Sequence, residues 1–99
     1  DILLVEMVYA ESGDYRRFVY TSKDTYKVRH NLYELEDMLR GKTFIRVQKG
    51  MLLNLMKIKS IKPALSGRYT ALLKNGEQIV ISRKYVLDLK SALKGEETR

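Results

Sequence analysis

The segment Phe44 to Asn54, FIRVQKGMLLN, constrains this chain more than any other. Its first half alternates apolar and polar residues with a period of two, the spacing of an extended strand. Ile45 and Val47 are therefore expected on one face, with Arg46 and Gln48 on the other. Gly50 interrupts the strand where a tight turn or a close backbone approach is cheapest, and Met51-Leu52-Leu53 resumes without a charge. Asn54 is the polar exception in that apolar run. A buried amide must find hydrogen-bond partners or cost roughly 1–3 kcal/mol, so Asn54 reads as a fixed structural polar residue.

The flanking sequence continues the strand pattern. Residues 1–9 are rich in strand formers and predict a largely buried strand, ended by Glu11-Ser12-Gly13-Asp14. Tyr15 to Thr21 forms the return strand, Ser22-Lys23-Asp24 the next turn, and Thr25 to Arg29 a third short strand. Asn31-Leu32-Tyr33-Glu34 is a capping-box variant that opens a helix. Leu32, Leu35 and Leu39 share its inner face with Met38, Gly41 stops it, and Glu34, Glu36 and Asp37 form a solvated face. Beyond Asn54, Leu55 to Lys62 reads as a strand whose alternation slips near Ser60, and Pro63 ends it. Ser66-Gly67 opens a further strand, Arg68 to Lys74, which Asn75-Gly76 returns through Glu77 to Ile81. Ser82 is placed to cap a last helix, Arg83 to Lys94, with Val86, Leu89 and Leu93 inward. The fold class is mainly β, with antiparallel sheets and two short helices.

A chain of 99 residues is one domain that holds one modest core. It has no cysteine, which removes thiol catalysis and the usual structural zinc sites and fits a reducing compartment. Its apolar runs are too short to span a bilayer and no signal-peptide pattern opens it, so a soluble, cytoplasmic protein without membrane contact is expected. It starts at Asp1 without an initiator methionine and reads as a piece of a longer protein. The formal charge is +7, unevenly spread. Residues 1–41 carry six Lys/Arg against eight Asp/Glu, whereas residues 42–95 carry twelve against two. That second half points to a polyanionic partner. Lysines that merely solubilise edge strands are the plainer alternative.

Catalysis has little to stand on. His30 is the only histidine and sits at the edge of a predicted helix, where a surface or capping role is the ordinary one. No metal-ligand cluster, Gly-rich phosphate loop or nucleophile elbow occurs, so neither an enzyme nor a cofactor is expected. Binding has better candidates. Arg83 and Lys84 fall in the first turn of the last predicted helix, where the helix dipole favours acids, and a helix N-terminus attracts phosphate. Gln48 and Lys49 on the central turn, and Arg16 and Arg17 beyond the first hairpin turn, are long side chains carried by rigid strands toward base edges or phosphates. The seven tyrosines are spaced as core-edge residues rather than as a stacking platform.

Element order and motifs together resemble the LytTR-type DNA-binding domain of bacterial response regulators, over nearly the whole chain. Asp1-Ile2-Leu3-Leu4-Val5-Glu6 resembles the family's opening DI-x-x-I-E strand, and Asn31-Leu32-x-x-Leu35-Glu36-x-x-Leu39 its short helix. Phe44-x-Arg46 followed by Leu53-Asn54-x-x-x-Ile58 resembles its most distinctive segment, and Ile81-Ser82-Arg83-Lys84-Tyr85 its final strand-to-helix join. The resemblance implies an elongated β fold whose loops enter successive major grooves of bent duplex DNA, with contacts near Arg16, on Gln48 and Lys49, and on Arg83. It further implies the C-terminal output part of a two-component regulator acting on promoter DNA, with direct repeats and dimerisation on DNA. Where many members have His-Arg-Ser or His-Lys-Ser, this chain has Gln48-Lys49-Gly50, and its first hairpin reads as longer than usual. Base preference at the central turn therefore does not carry over. An RNA-binding β module and a protein-interaction domain with a basic face are the competing readings of the same charge.

Overall fold

The computed structural model describes residues 7–13, 16–21, 23–39, 41 and 43–94; the side chains of Arg16 and Arg17 lie outside that description, as does most of the predicted opening strand. Among the described residues eight strands and two helices follow in chain order: β1 (Met7–Gly13), β2 (Arg16–Thr21), β3 (Thr25–Lys27), α1 (Leu32–Met38), β4 (Phe44–Gln48), β5 (Met51–Asn54), β6 (Ile58–Pro63), β7 (Tyr69–Leu73), β8 (Gln78–Ile81) and α2 (Val86–Lys94). They build a five-stranded sheet, β3-β2-β1-β5-β4, and a three-stranded sheet, β6-β7-β8. Every strand pair is antiparallel.

The larger sheet is covered on both faces, which explains why Met51 to Asn54 are all buried. On one side Val8, Val47, Met51 and Leu53 meet Ala71, Leu73, Ile79 and Ile81 of the smaller sheet, with Val86 and Leu89 of α2. On the other side Met7, Ala10, Val19 and Leu52 lie under Leu32, Leu35 and Leu39. The α1 capping box closes in both directions, Glu34 N–H to Asn31 Oδ1 at 2.8 Å and Asn31 N–H to Glu34 Oε1 at 2.9 Å. Met38 does not join the inner stripe. It is 60% exposed, because it lies about 100° around the helix from Leu39.

Three local expectations change once pairing partners are known. Residues 11–13 do not form a turn: β1 runs through Gly13, which pairs with Arg16. With β2 on one side and β5 on the other, ladder bonds hold Glu11 extended despite its turn-like neighbours. The third strand stops at Lys27. Leu55–Lys57 is a 3-10 turn rather than strand, and it carries the chain from the larger sheet to the smaller. The slip near Ser60 is a register shift between Ile58 and Ser60.

Asn54 sits at that crossing, 2% exposed. Its Nδ2 donates to the Met7 carbonyl at 2.8 Å, and its Oδ1 accepts from Thr43 Oγ1 at 2.9 Å and from Met56 N–H at 3.0 Å. One amide thus ties β1, the approach to β4 and the 3-10 turn together. A second tie joins the sheets: Tyr9, stacked on Tyr20 with ring centroids 4.5 Å apart, donates its hydroxyl to Glu77 Oε2 at 3.1 Å. Burial, and after it the Glu77 hydrogen bond, hold the Tyr9 phenol well above the ordinary tyrosine range. Burial, followed by the charge of Glu11, raises Tyr20 in the same direction.

Candidate nucleic-acid interface

The central turn is shaped by a bulge that the alternation of FIRVQ conceals. Arg46 pairs with Leu52 but Gln48 pairs with Met51, so Val47 is the extra residue. Cross-strand partners share a face, so Arg46 and Gln48 leave the sheet on opposite sides, not on the same one as the alternation predicts. Gln48 turns toward the smaller sheet, where its Nε2 donates to the Val80 carbonyl at 2.7 Å.

Arg46 turns the other way. Its Nη2 meets Glu36 Oε1 at 2.8 Å and its Nη1 donates to the Lys49 carbonyl at 2.6 Å. The Arg46 side chain is only 20% exposed. Glu36 is therefore an anchor for Arg46 rather than part of a solvated acidic face. The guanidinium fixes the backbone of the turn from behind, and Lys49 is left exposed at its tip.

Two neighbouring segments are bonded directly to this turn. On one side Ser12 N–H donates to the Gly50 carbonyl at 2.8 Å. A methyl on Gly50 would stand 2.9 Å from the Ser12 carbonyl oxygen, so the approach admits only glycine without a shift. Ser12 pairs with Arg17, and Gly13 with Arg16, which sets the backbone of both arginines beside the central turn. On the other side Ser82 N–H donates to the Val47 carbonyl at 3.0 Å, alongside the Gln48–Val80 bond. The first hairpin, the central turn and the final join thus form one continuous bonded row.

The final join begins more tightly than a regular α-helix. Arg83–Tyr85 is a 3-10 turn ahead of α2, and Ser82 makes no side-chain cap. Its carbonyl instead accepts from Tyr85 N–H at 2.9 Å. The 3-10 turn runs without a break into α2, so Arg83 and Lys84 open the helical segment where the dipole favours acids, and Asp88 follows in the first turn of α2 itself. Leu93, expected inward, is half exposed near the end of α2. Arg83 and Lys84 are both exposed. The stem of Arg83 crosses the loop between β6 and β7: a Cβ on Gly67 would come within 2.7 Å of Arg83 Cδ. Ser66 and Gly67 both hold positive φ there, 60° and 76°, so a left-handed turn clears the path of the arginine. Lys84 Nζ lies 5.6 Å from the Tyr85 ring centroid.

Sequence reasoning missed Arg46 and Gly67 as supports. Nothing local to Phe-Ile-Arg-Val points to Glu36, ten residues upstream of Arg46, whereas Ser66-Gly67 carries a turn signal that also fits the start of a strand.

A two-sheet β domain with exposed cations on adjacent turns offers a surface suited to a polyanion. Residues 1–94 match the LytTr DNA-binding domain family, and the chain belongs to that family, a DNA-binding one rather than an enzymatic one. It is 33% identical over 88 residues to the sensory transduction protein LytT of Bacillus subtilis (strain 168), covering 89% of this chain and 36% of the relative. It is 28% identical over 89 residues to the transcriptional regulatory protein YpdB of Escherichia coli (strain K12), covering 89% and 36%. A solved LytTr DNA-binding domain of a response regulator from Bacillus cereus superposes with a TM-score of 0.87 at 25% identity, over 93% of this chain and 84% of that one. The chain spans about a third of the length of the curated relatives it matches.

Proposed function

We propose that this domain is the DNA-contacting output part of a longer bacterial response regulator and recognises a specific promoter duplex through three adjacent segments. The observation that carries this reading is the bonded row in which Ser12 meets Gly50 and Ser82 meets Val47. Lys49, Arg83 and Lys84 project from two of these segments into solvent, and the backbone of Arg16 and Arg17 lies at the third. Arginine pairs bidentately with guanine in the major groove, and lysine contacts either bases or phosphates. The described residues measure 32 × 31 × 23 Å, nearly equal in two directions rather than elongated, and each of these two is close to one helical turn of about 34 Å. One copy then covers neighbouring major grooves on one face of the duplex, and two copies occupy direct repeats. The setting for such a regulator is the cytoplasm.

Binding to a selected duplex and to an unrelated duplex over a salt series tests the reading. Neutralising about five phosphates gives a slope of log K against log salt near −4 to −5. The selected duplex retains an advantage at every salt concentration. Equal affinity for both duplexes contradicts specific recognition, and tighter binding to structured or single-stranded RNA of equal length favours the RNA reading.

A further inference from the structure

We infer that Gln48 is a positioning residue which couples the central turn to the Arg83 join, and that Lys49 alone carries the turn's contact with DNA. The inference rests on the proposed DNA-binding function and assigns the work within it. Gln48 has the chemistry of an adenine reader, since an amide pairs bidentately with adenine N6 and N7. Bidentate pairing needs both the amide oxygen and an N–H in one plane facing the base. Here the bulge at Val47 swings the side chain toward the smaller sheet, and Nε2 donates to the Val80 carbonyl at 2.7 Å. That carbonyl lies on β8, one of the two outer strands of its sheet, and Gln48 covers it. Two residues further on, Ser82 N–H is bonded to the Val47 carbonyl at 3.0 Å. Val47-Gln48 and Val80-Ser82 therefore clasp one another by two bonds, and Arg83 is the next residue. The clasp fixes the distance between the exposed Lys49 and the exposed Arg83.

Selection of random duplexes followed by quantitative titration separates positioning from reading. Gln48→Ala is expected to lower affinity for the selected site about two- to tenfold, the worth of one intramolecular hydrogen bond, with the wild-type order of preferred bases kept. Gln48→Glu, which offers an oxygen to the Val80 carbonyl where a donor is needed, loses at least as much. In an Arg83→Ala background the Gln48→Ala loss shrinks below about twofold, because there is no longer an Arg83 contact to position. Circular dichroism and thermal unfolding of each variant separate these effects from loss of the fold.

A changed base preference at one or two positions in Gln48→Ala, or full additivity with Arg83→Ala, overturns the inference and leaves the DNA-binding function standing. Failure of the wild-type domain to select any duplex overturns both.

Discussion

Ser12 and Gly50 touch backbone to backbone: the Ser12 N–H donates to the Gly50 carbonyl at 2.8 Å, and a Cβ on Gly50 would meet the Ser12 carbonyl oxygen at 2.9 Å. Glycine is needed here for space and not for a left-handed φ. Gly50→Ala is expected to lower stability by about 1–3 kcal/mol, the usual cost of overpacking, and to weaken DNA binding by separating the first hairpin from the central turn. Urea denaturation and duplex titration measure the two effects. Unchanged stability and affinity would show that the hairpin can move away freely.

Asn54 satisfies three partners on three segments while 2% exposed. Asn54→Leu leaves the Met7 carbonyl, the Thr43 hydroxyl and the Met56 N–H without that amide. The expected loss is on the order of 3 kcal/mol, read from the denaturation midpoint at constant slope. A loss below about 0.5 kcal/mol would mean that water replaces all three bonds.

Arg46 holds the central turn from behind, through the Lys49 carbonyl at 2.6 Å and Glu36 at 2.8 Å, and any effect of it on DNA binding is expected to pass through that turn. Arg46→Ala is expected to reduce affinity several-fold and stability by about 1–2 kcal/mol. Arg46→Lys does not restore either, because a single ammonium lacks the planar fork that reaches both acceptors. Full rescue by lysine would reduce the role of Arg46 to charge alone.

Tyr9 makes stability fall at high pH. Its folded-state pKa is raised above the ordinary value of 10.0, first by burial and then by Glu77, so its contribution is complete below pH 10 and is lost as pH rises beyond it. The unfolded chain releases the proton while the folded one keeps it, a penalty of up to about 1.4 kcal/mol per pH unit. Wild-type protein should therefore lose stability more steeply than Tyr9→Phe between about pH 10 and pH 12. Parallel curves in denaturant titrations at each pH would place the high-pH loss elsewhere, Tyr20 included.

Much of the fold is legible in the sequence where the signal is local. The Asn31–Glu34 capping box, the Leu32/Leu35/Leu39 stripe and the slip near Ser60 all depend on residues a few positions apart. What escaped depends on partners far along the chain. The polar run Glu11-Ser12-Gly13 stays extended because it is paired, and Leu55–Lys57 leaves the strand because Asn54 captures the Met56 N–H. The bulge at Val47 reverses the side on which Gln48 emerges, and no alternation count reveals a one-residue slip between strands. The candidate cations Lys49, Arg83 and Lys84 were legible as exposed charges. The bonds that hold them in a row, Ser12 to Gly50 and Ser82 to Val47, were not.

Methylation interference on a selected duplex tests the three-segment arrangement most directly, because modified guanine N7 atoms report major-groove contact base by base. Wild-type protein should give two or more interference clusters on one face of the helix, centred about 10 base pairs apart. Arg83→Ala should erase the cluster at one end of the row and the double substitution Arg16→Ala, Arg17→Ala the cluster at the other, while Lys49→Ala, close to Arg83 across the Val47–Ser82 bond, should weaken the contacts between them. A single uninterrupted cluster, or interference unaffected by these substitutions, would contradict recognition through a row of basic turns.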